Sequence, residues 1–318
     1  MKPSLNNIPR SQIISQSSGK AFFAALISGF LSLSAFPVGA APKWPLPEGI
    51  KSIEVNGYDM AYQETGAGAP VVLVHGAMTD YRWWSAQVSE FAKKYRVIAV
   101  SLRHYYPEKW DGAGDDFSIE QHAADVAALI KNLNLGKVHL LGHSRGGAVV
   151  LSVAMKNPEV IKTLILNDAS GLETLLPDTP GSQRLAAEGR ELRDTLARNL
   201  AAGNLELAGQ MFVDALTAPG TWVTRTAEQK QRIYDNVGTA LQVEGRPATS
   251  CEQIARFDFP ILLLTGERSP KRYGEMFAAM RGCKDIPAPI VIPRGTHIMT
   301  RDNPPAYNEA VLDFLARN

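Results

Sequence analysis

The sequence predicts an α/β fold: a three-layer domain with a mostly parallel, eight-stranded sheet flanked by helices, and a helical insertion. Three observations carry this. Short apolar runs such as VVLVHG (71–76) and FPILLLTGE (259–267) read as strands buried on both faces. Segments of helical period separate them, and that alternation implies parallel pairing through right-handed crossovers. One stretch, 171–255, contains no strand run and interrupts the alternation.

Composition agrees with such a domain. The chain has 318 residues, 45% of them hydrophobic, which excludes a disordered or collagen-like chain. The formal net charge is +1 and no Lys/Arg block stands out, so there is no electrostatic reason to expect a nucleic-acid partner. Two cysteines, Cys251 and Cys283, are too few for a disulfide scaffold or a Cys-rich zinc site. One bridge is open to them in an oxidising compartment, and their spacing does not decide it.

The first element is a targeting segment, 1–40. Lys2, Arg10 and Lys20 precede AFFAALISGFLSLSAF (21–36), which has no charge, and PVGA follows. A basic head, a short apolar middle and small or apolar residues at Val38 and Ala40 predict a signal peptide cleaved after Ala40, hence a periplasmic or secreted protein. A buried core helix and an uncleaved membrane anchor are the alternatives. The apolar run is shorter than the ~20 residues of a comfortable membrane span. No Cys follows it to carry a lipid. Cleavage would take the formal charge from +1 to −2.

The elements of the mature chain follow in order. KSIEVNGYDMAYQETG (51–66) reads as a hairpin around Asn56-Gly57, the pair that tolerates the positive φ of a tight turn. VVLVHG is the next strand, WWSAQVSEFAKKY (83–95) a helix and RVIAVSL (96–102) a strand. SIEQHAADVAALIKNL (118–133) begins with a capping box, Ser118 and Gln121. KVHLLGHS (137–144) is a strand running into the helix RGGAVVLSVAMKNP, and VIKTLILND (160–168) is another strand. In 171–255, RLAAEGRELRDTLARNLAAG, LELAGQMFVDAL and AEQKQRIYDNVGTAL have amphipathic helical spacing and predict a lid over the end of the sheet. FPILLLTGE and APIVIP (288–293) are the last strands, with helical YGEMFAAMRG between them, and PPAYNEAVLDFLARN (304–318) closes the chain as a helix. The core is therefore 50–170 plus 256–318.

Chemistry concentrates at the carboxyl ends of these strands. Gly142-His143-Ser144-Arg145-Gly146 fits G-x-S-x-G between a strand and a helix, the setting in which a serine hydroxyl is raised on a sharp turn. The helix N-terminus supplies the Arg145 amide, and the turn after His75-Gly76 supplies that of Ala77; together they form a two-donor oxyanion hole. His297 lies in IPRGTHIMTRDNPP, after the last strand, and an imidazole there suits a base for a weak nucleophile. His104, His122 and His139 read as loop, helix-surface and strand residues without a role, and His143 as a packing neighbour. Trp83 and Trp84 open a helix, as core residues or with one as a pocket wall.

With these residues the chain resembles the α/β-hydrolase superfamily, over nearly all of 50–318. VVLVHG, VHLLGHSRGG, LILND and GTHIMTRDNPPAYNEAVLDFL carry the resemblance in order and spacing. It implies the branch of small esterases, lactonases, carbon–carbon bond hydrolases and cofactor-free haloperoxidases. Ser144 is unlike the Asp nucleophile of epoxide hydrolases and haloalkane dehalogenases. Two departures stand out. The usual acid position after ILLLTG holds Ser269, so Asp168, ending LILND, or Glu267, directly after Gly266, would complete the triad. And where relatives have an Arg-Gly-x-Gly motif, SLRHYYPEKWDG (101–112) brings Arg103, His104, Tyr105 and Tyr106, as pocket mouth or as surface loop.

The expected activity is hydrolysis of a small-molecule ester or lactone through an acyl-enzyme on Ser144, with His297 as base and no metal or organic cofactor. A carbon–carbon bond hydrolase or peptidase would use the same machinery. A non-catalytic ligand-binding protein or an envelope scaffold on this fold is the reading from another class, favoured by the missing acid at 269. Oligomeric state is not legible.

Overall fold

The computed structural model describes residues 44–241 and 248–318, so the expected signal segment 1–40 lies outside the described residues. β1 (Ile50–Val55) and β2 (Tyr58–Thr65) form the expected hairpin, paired from Ile50–Gln63 to Val55–Tyr58. Asn56 and Gly57 turn it with φ of 51° and 76°, the left-handed region that an Asn-Gly pair adopts at low cost. Six further strands are parallel to one another: β3 (Pro70–Val74), β4 (Arg96–Val100), β5 (Val138–His143), β6 (Ile161–Asn167), β7 (Ile261–Gly266) and β8 (Ile290–Ile292). The sheet order is β1-β2-β4-β3-β5-β6-β7-β8, with β1 and β2 the antiparallel edge. The chain thus has the eight-stranded, mostly parallel sheet that its sequence pattern predicts.

Burial on both faces explains the unbroken apolar runs. Along β3, Val72 and Val74 enter the core on one face while Val71 and Leu73 enter the core on the other, all fully buried. β7 divides the same way, Ile261 and Leu263 against Leu262 and Leu264. At roughly 1.5–3 kcal/mol for each fully buried aliphatic side chain, a polar replacement at any of these positions is costly. The first face is covered by α2 (Ile119–Asn132) and α3 (Arg145–Lys156), the second by α1 (Ser85–Phe91), as their buried side chains show.

Two local expectations differ in detail. The helix read over 83–95 is a 3₁₀ turn, Tyr81–Trp84, followed by the two-turn α1, because Asp80 caps the turn by accepting from the Arg82 amide. At Ser118 only half of the capping box forms. The Ser118 hydroxyl accepts from the Gln121 amide, while the Gln121 side chain donates to Asp125 instead of turning back.

Between β6 and β7 the described chain is helical. It holds α4 (Pro180–Ala201), α5 (Leu205–Leu216), α6 (Ala227–Tyr234) and α7 (Cys251–Ala255). Leu196 and Leu200 of α4 and Ala208 of α5 bury against Met78, in the loop after β3, which attaches this segment above the sheet's carboxyl edge. The chain closes with α8 (Lys271–Cys283), α9 (Met299–Asp302) and α10 (Pro304–Arg317). Cys251 and Cys283 form a disulfide with Cα atoms 4.8 Å apart, which ties α7 to the end of α8. Closing a 32-residue separation removes about 3–4 kcal/mol of unfolded-state entropy in the chain-closure account.

Candidate active site

Parallel strands end together, so the loops after β5, β6, β7 and β8 meet at one edge of the sheet. Ser144 follows β5 and caps α3 with φ 53° and ψ −119°, a sparsely populated backbone region for a residue with a side chain. Three bonds hold the turn. The Ser144 amide donates to the Asn167 carbonyl at 3.0 Å, and the Ser144 carbonyl accepts from the amides of Gly147 and Ser170, both at 2.9 Å. The flanking glycines follow from close approach. A Cβ on Gly142 would lie 2.5 Å from the Gly146 carbonyl oxygen, and one on Gly146 would lie 2.3 Å from that of His75.

Asp168 and His297 are brought together. His297 Nδ1 lies 3.2 Å from Asp168 Oδ2, and both side chains are buried. Asp168 has φ 37°, a left-handed turn off β6 of the kind a short carboxylate side chain tolerates. Its carboxylate also accepts from Ser269 Oγ at 2.5 Å and Thr265 Oγ1 at 2.7 Å. Ser269 Oγ in turn accepts from the Gly266 amide at 3.0 Å. The serine at the usual acid position thus orients the carboxylate that reaches in from the neighbouring strand. Burial pushes the Asp168 carboxyl up, and the Ser269 and Thr265 hydroxyls pull it back. Burial pushes the His297 imidazole down, and the Arg272 cation adds to this, so His297 stays neutral and able to accept a proton. With Nδ1–H donated to Asp168, Nε2 carries the free lone pair.

Glu267 is elsewhere. It is exposed on the turn after β7, where its carboxylate accepts from the Arg294 amide at 2.6 Å.

Ser144 and His297 line one pocket with Gly76, Ala77, Trp83 and Ile298. Its empty space is about 660 Å³, part of it open to solvent. A broader cleft, lined by α4 side chains, also reaches Ala77, Ser144 and Arg145. Ala77 lines both spaces beside Ser144, and Arg145, which opens α3, lines the broader one. His75 fixes the Ala77 loop: its Nδ1 is 2.8 Å from the Gly76 carbonyl oxygen, and its Nε2 accepts from the Leu102 amide at 3.0 Å. Burial pushes His75 down to about 4, so it is the neutral ring that these two bonds need.

The tryptophans divide their roles: Trp84 is core, whereas Trp83 lines the pocket with its ring stacked on His143 at 5.1 Å.

Tyr273 is a site residue that the sequence reading missed. Its ring stacks on His297 at 4.6 Å, and its hydroxyl lies 3.4 Å from His297 Nε2. A tyrosine among the apolar residues of KRYGEMFAAM gives no signal distinct from a core residue.

Two other expectations are corrected or resolved. His122, read as helix-surface, is fully buried, with Nε2 3.2 Å from the Arg103 carbonyl oxygen and Nδ1 2.8 Å from Arg145 Nη2. The 101–112 segment is neither simply pocket mouth nor surface. Arg103 is buried between Asp125 and Asp116 at 2.8 and 2.9 Å, and His104 bridges Glu108 and Asp116 at 3.1 and 2.7 Å.

A strained serine on a strand-to-helix turn, with a buried His–Asp pair at the same sheet edge, defines the α/β-hydrolase class. The chain belongs to the alpha/beta hydrolase family, whose sequence model matches residues 71–310. It is similar to a 2-hydroxy-6-oxo-2,4-heptadienoate hydrolase of Pseudomonas putida, 28% identical over 62% of this chain and 78% of the relative. It is also similar to an (E)-2-((N-methylformamido)methylene)succinate hydrolase of Acinetobacter baylyi, 24% identical over 80% of this chain and 93% of the relative. Among solved structures, a thermophilic esterase of Thermogutta terrifontis superposes with a TM-score of 0.67 at 26% identity, over 84% of this chain and 98% of that one.

Proposed function

We propose that this protein is an exported serine hydrolase that cleaves a carboxylic ester or lactone through an acyl-enzyme on Ser144. The observation that carries the reading is the buried Asp168–His297 hydrogen bond, with His297 lining the same pocket as Ser144. His297 Nε2 takes the Ser144 proton as Oγ attacks the carbonyl carbon. The amides of Ala77 and Arg145 stabilise the oxyanion, each such donor being worth about 3–4 kcal/mol. Asp168 holds the imidazole in the right tautomer and stabilises the imidazolium, which then protonates the leaving group. Water attacks the acyl-enzyme with His297 as base, which restores Ser144. The 171–255 helices act as the lid that sets acyl and alcohol preference. Similarity to a solved esterase supports the ester reading. The Cys251–Cys283 disulfide supports export to an oxidising compartment.

Hydrolysis of a carbon–carbon bond beside a ketone is the second reading. The same residues serve it, and similarity to hydrolases of 2-hydroxy-6-oxo-2,4-heptadienoate and 2-hydroxymuconate semialdehyde favours it. A panel of esters, lactones and vinylogous diketones of graded length, run on the mature protein, separates the two. Turnover of esters or lactones that Ser144→Ala abolishes is the expected result. Turnover confined to the diketones selects the second reading, and turnover that survives Ser144→Ala removes both.

A further inference from the structure

Cations taken out of water need a counter-charge, because the cost of desolvating them is otherwise unmet. Four arginines line the pocket that holds Ser144 and His297: Arg82, Arg225, Arg232 and Arg301. Two are matched. Arg82 pairs with Asp80 at 2.6 Å and Asp235 at 2.8 Å, and Arg232 pairs with Glu228 at 2.6 Å. The other two are not.

Among the described residues neither Arg225 nor Arg301 forms an ion pair. Arg225 lies between the 3₁₀ turn Trp222–Thr224 and α6, and its Nε is buried without a hydrogen-bond partner. Arg301 lies on α9, one turn beyond His297, with its guanidinium 4.9 Å over the Trp83 ring. The carboxylates that act on them are engaged elsewhere: Asp302, near Arg225, accepts from the Thr296 amide and hydroxyl at 2.7 and 2.6 Å, while Asp80 and Glu228, near Arg301, pair with Arg82 and Arg232. Burial, together with the nearby Arg232 and Arg225 cations, pushes Arg301 down to about 10. Each of the two guanidiniums therefore gains from any anion that enters.

We propose that Arg225 and Arg301 form an anion subsite in the catalytic pocket, and that the substrate is a short carbonyl compound carrying a carboxylate at the end away from the scissile bond. The proposal rests on the hydrolase reading of Ser144. The planar guanidinium fork matches a planar carboxylate. Two forks satisfy its two oxygens. The remaining wall, with Phe212, Val213, Leu216, Ile233 and Ile298, suits the hydrocarbon between carboxylate and carbonyl.

The test compares the half-ester mono-p-nitrophenyl glutarate with its neutral methyl ester. The wild-type protein should favour the charged ester by more than about tenfold in kcat/KM, as expected for charge-assisted hydrogen bonds. Arg225→Gln combined with Arg301→Gln should abolish that preference, mainly through KM of the charged ester. A ratio of two substrates on one preparation does not depend on how much of it is folded. Turnover of both esters without preference for the charged one overturns the subsite and leaves the hydrolase reading standing. The converse outcome is no turnover of either, with glutarate half-ester binding that the double variant loses. That keeps the subsite and overturns the hydrolase reading.

Discussion

At the scale of single residues, the arrangement turns on which carboxylate faces the imidazole. Asp168 does so at 3.2 Å, while Glu267 is committed to the Arg294 amide on an exposed turn. Asp168→Asn keeps the shape but offers Nδ1 a donor in place of an acceptor, which favours the wrong tautomer. Ester turnover should fall about 10³–10⁴-fold, while Glu267→Gln should stay within about twofold of wild type. Steady-state kinetics on one chromogenic ester ranks the two, and the opposite ranking would transfer the role to Glu267. The sequence allowed both residues because each follows a strand in the right region. What separates them is the pairing of Ser269 and Thr265 with Asp168, a contact of about a hundred residues' separation that no local pattern encodes. Ser144 and His297 were legible because their signals are local: a glycine-flanked turn and a loop before the final helix. Tyr273 and the unmatched Arg225 and Arg301 were not, since their meaning comes only from what the folded chain packs around them.

At the scale of elements, the loop 101–112 has a pH dependence set by its geometry. Both nitrogens of His104 face carboxylates, Glu108 on Nδ1 and Asp116 on Nε2, and only the imidazolium can donate to both. Burial lowers its pKa, but the hydrogen bonds that it donates to these two carboxylates outweigh burial and raise it above 6.5. The other groups at this cluster are the Arg103 cation, paired with Asp116 and Asp125, and the neutral Tyr58 hydroxyl, which donates to Glu108. A group whose folded pKa is raised contributes stability that is full below its unfolded pKa and lost as pH rises through the folded value. The melting temperature should therefore decline as pH climbs from 6 through the raised pKa, and His104→Gln should flatten that decline. Equal slopes in the two proteins would show that His104 is not charged in the fold. Strand identity was readable from short unbroken apolar runs, as β3 and β7 show. The break of the 83–95 segment into a 3₁₀ turn and a short helix was not, because it depends on Asp80 accepting from the Arg82 amide.

At the scale of the whole molecule, the sheet is a device for bringing four loop ends to one edge. The helical segment between β6 and β7 covers that edge by burying Leu196, Leu200 and Ala208 on Met78. Its existence was legible as a long run without strands, while its packing was not, since α4 is polar over most of its length and its few apolar contacts fall on a distant loop. The central claim is that Ser144 is a nucleophile activated by this edge. Reaction of the protein with a fluorophosphonate probe, followed by peptide mass spectrometry, reads it directly. The account predicts one equivalent of label on the peptide bearing Ser144 and none in His297→Ala. Label on another residue, or an unlabelled Ser144 in folded protein, would contradict it.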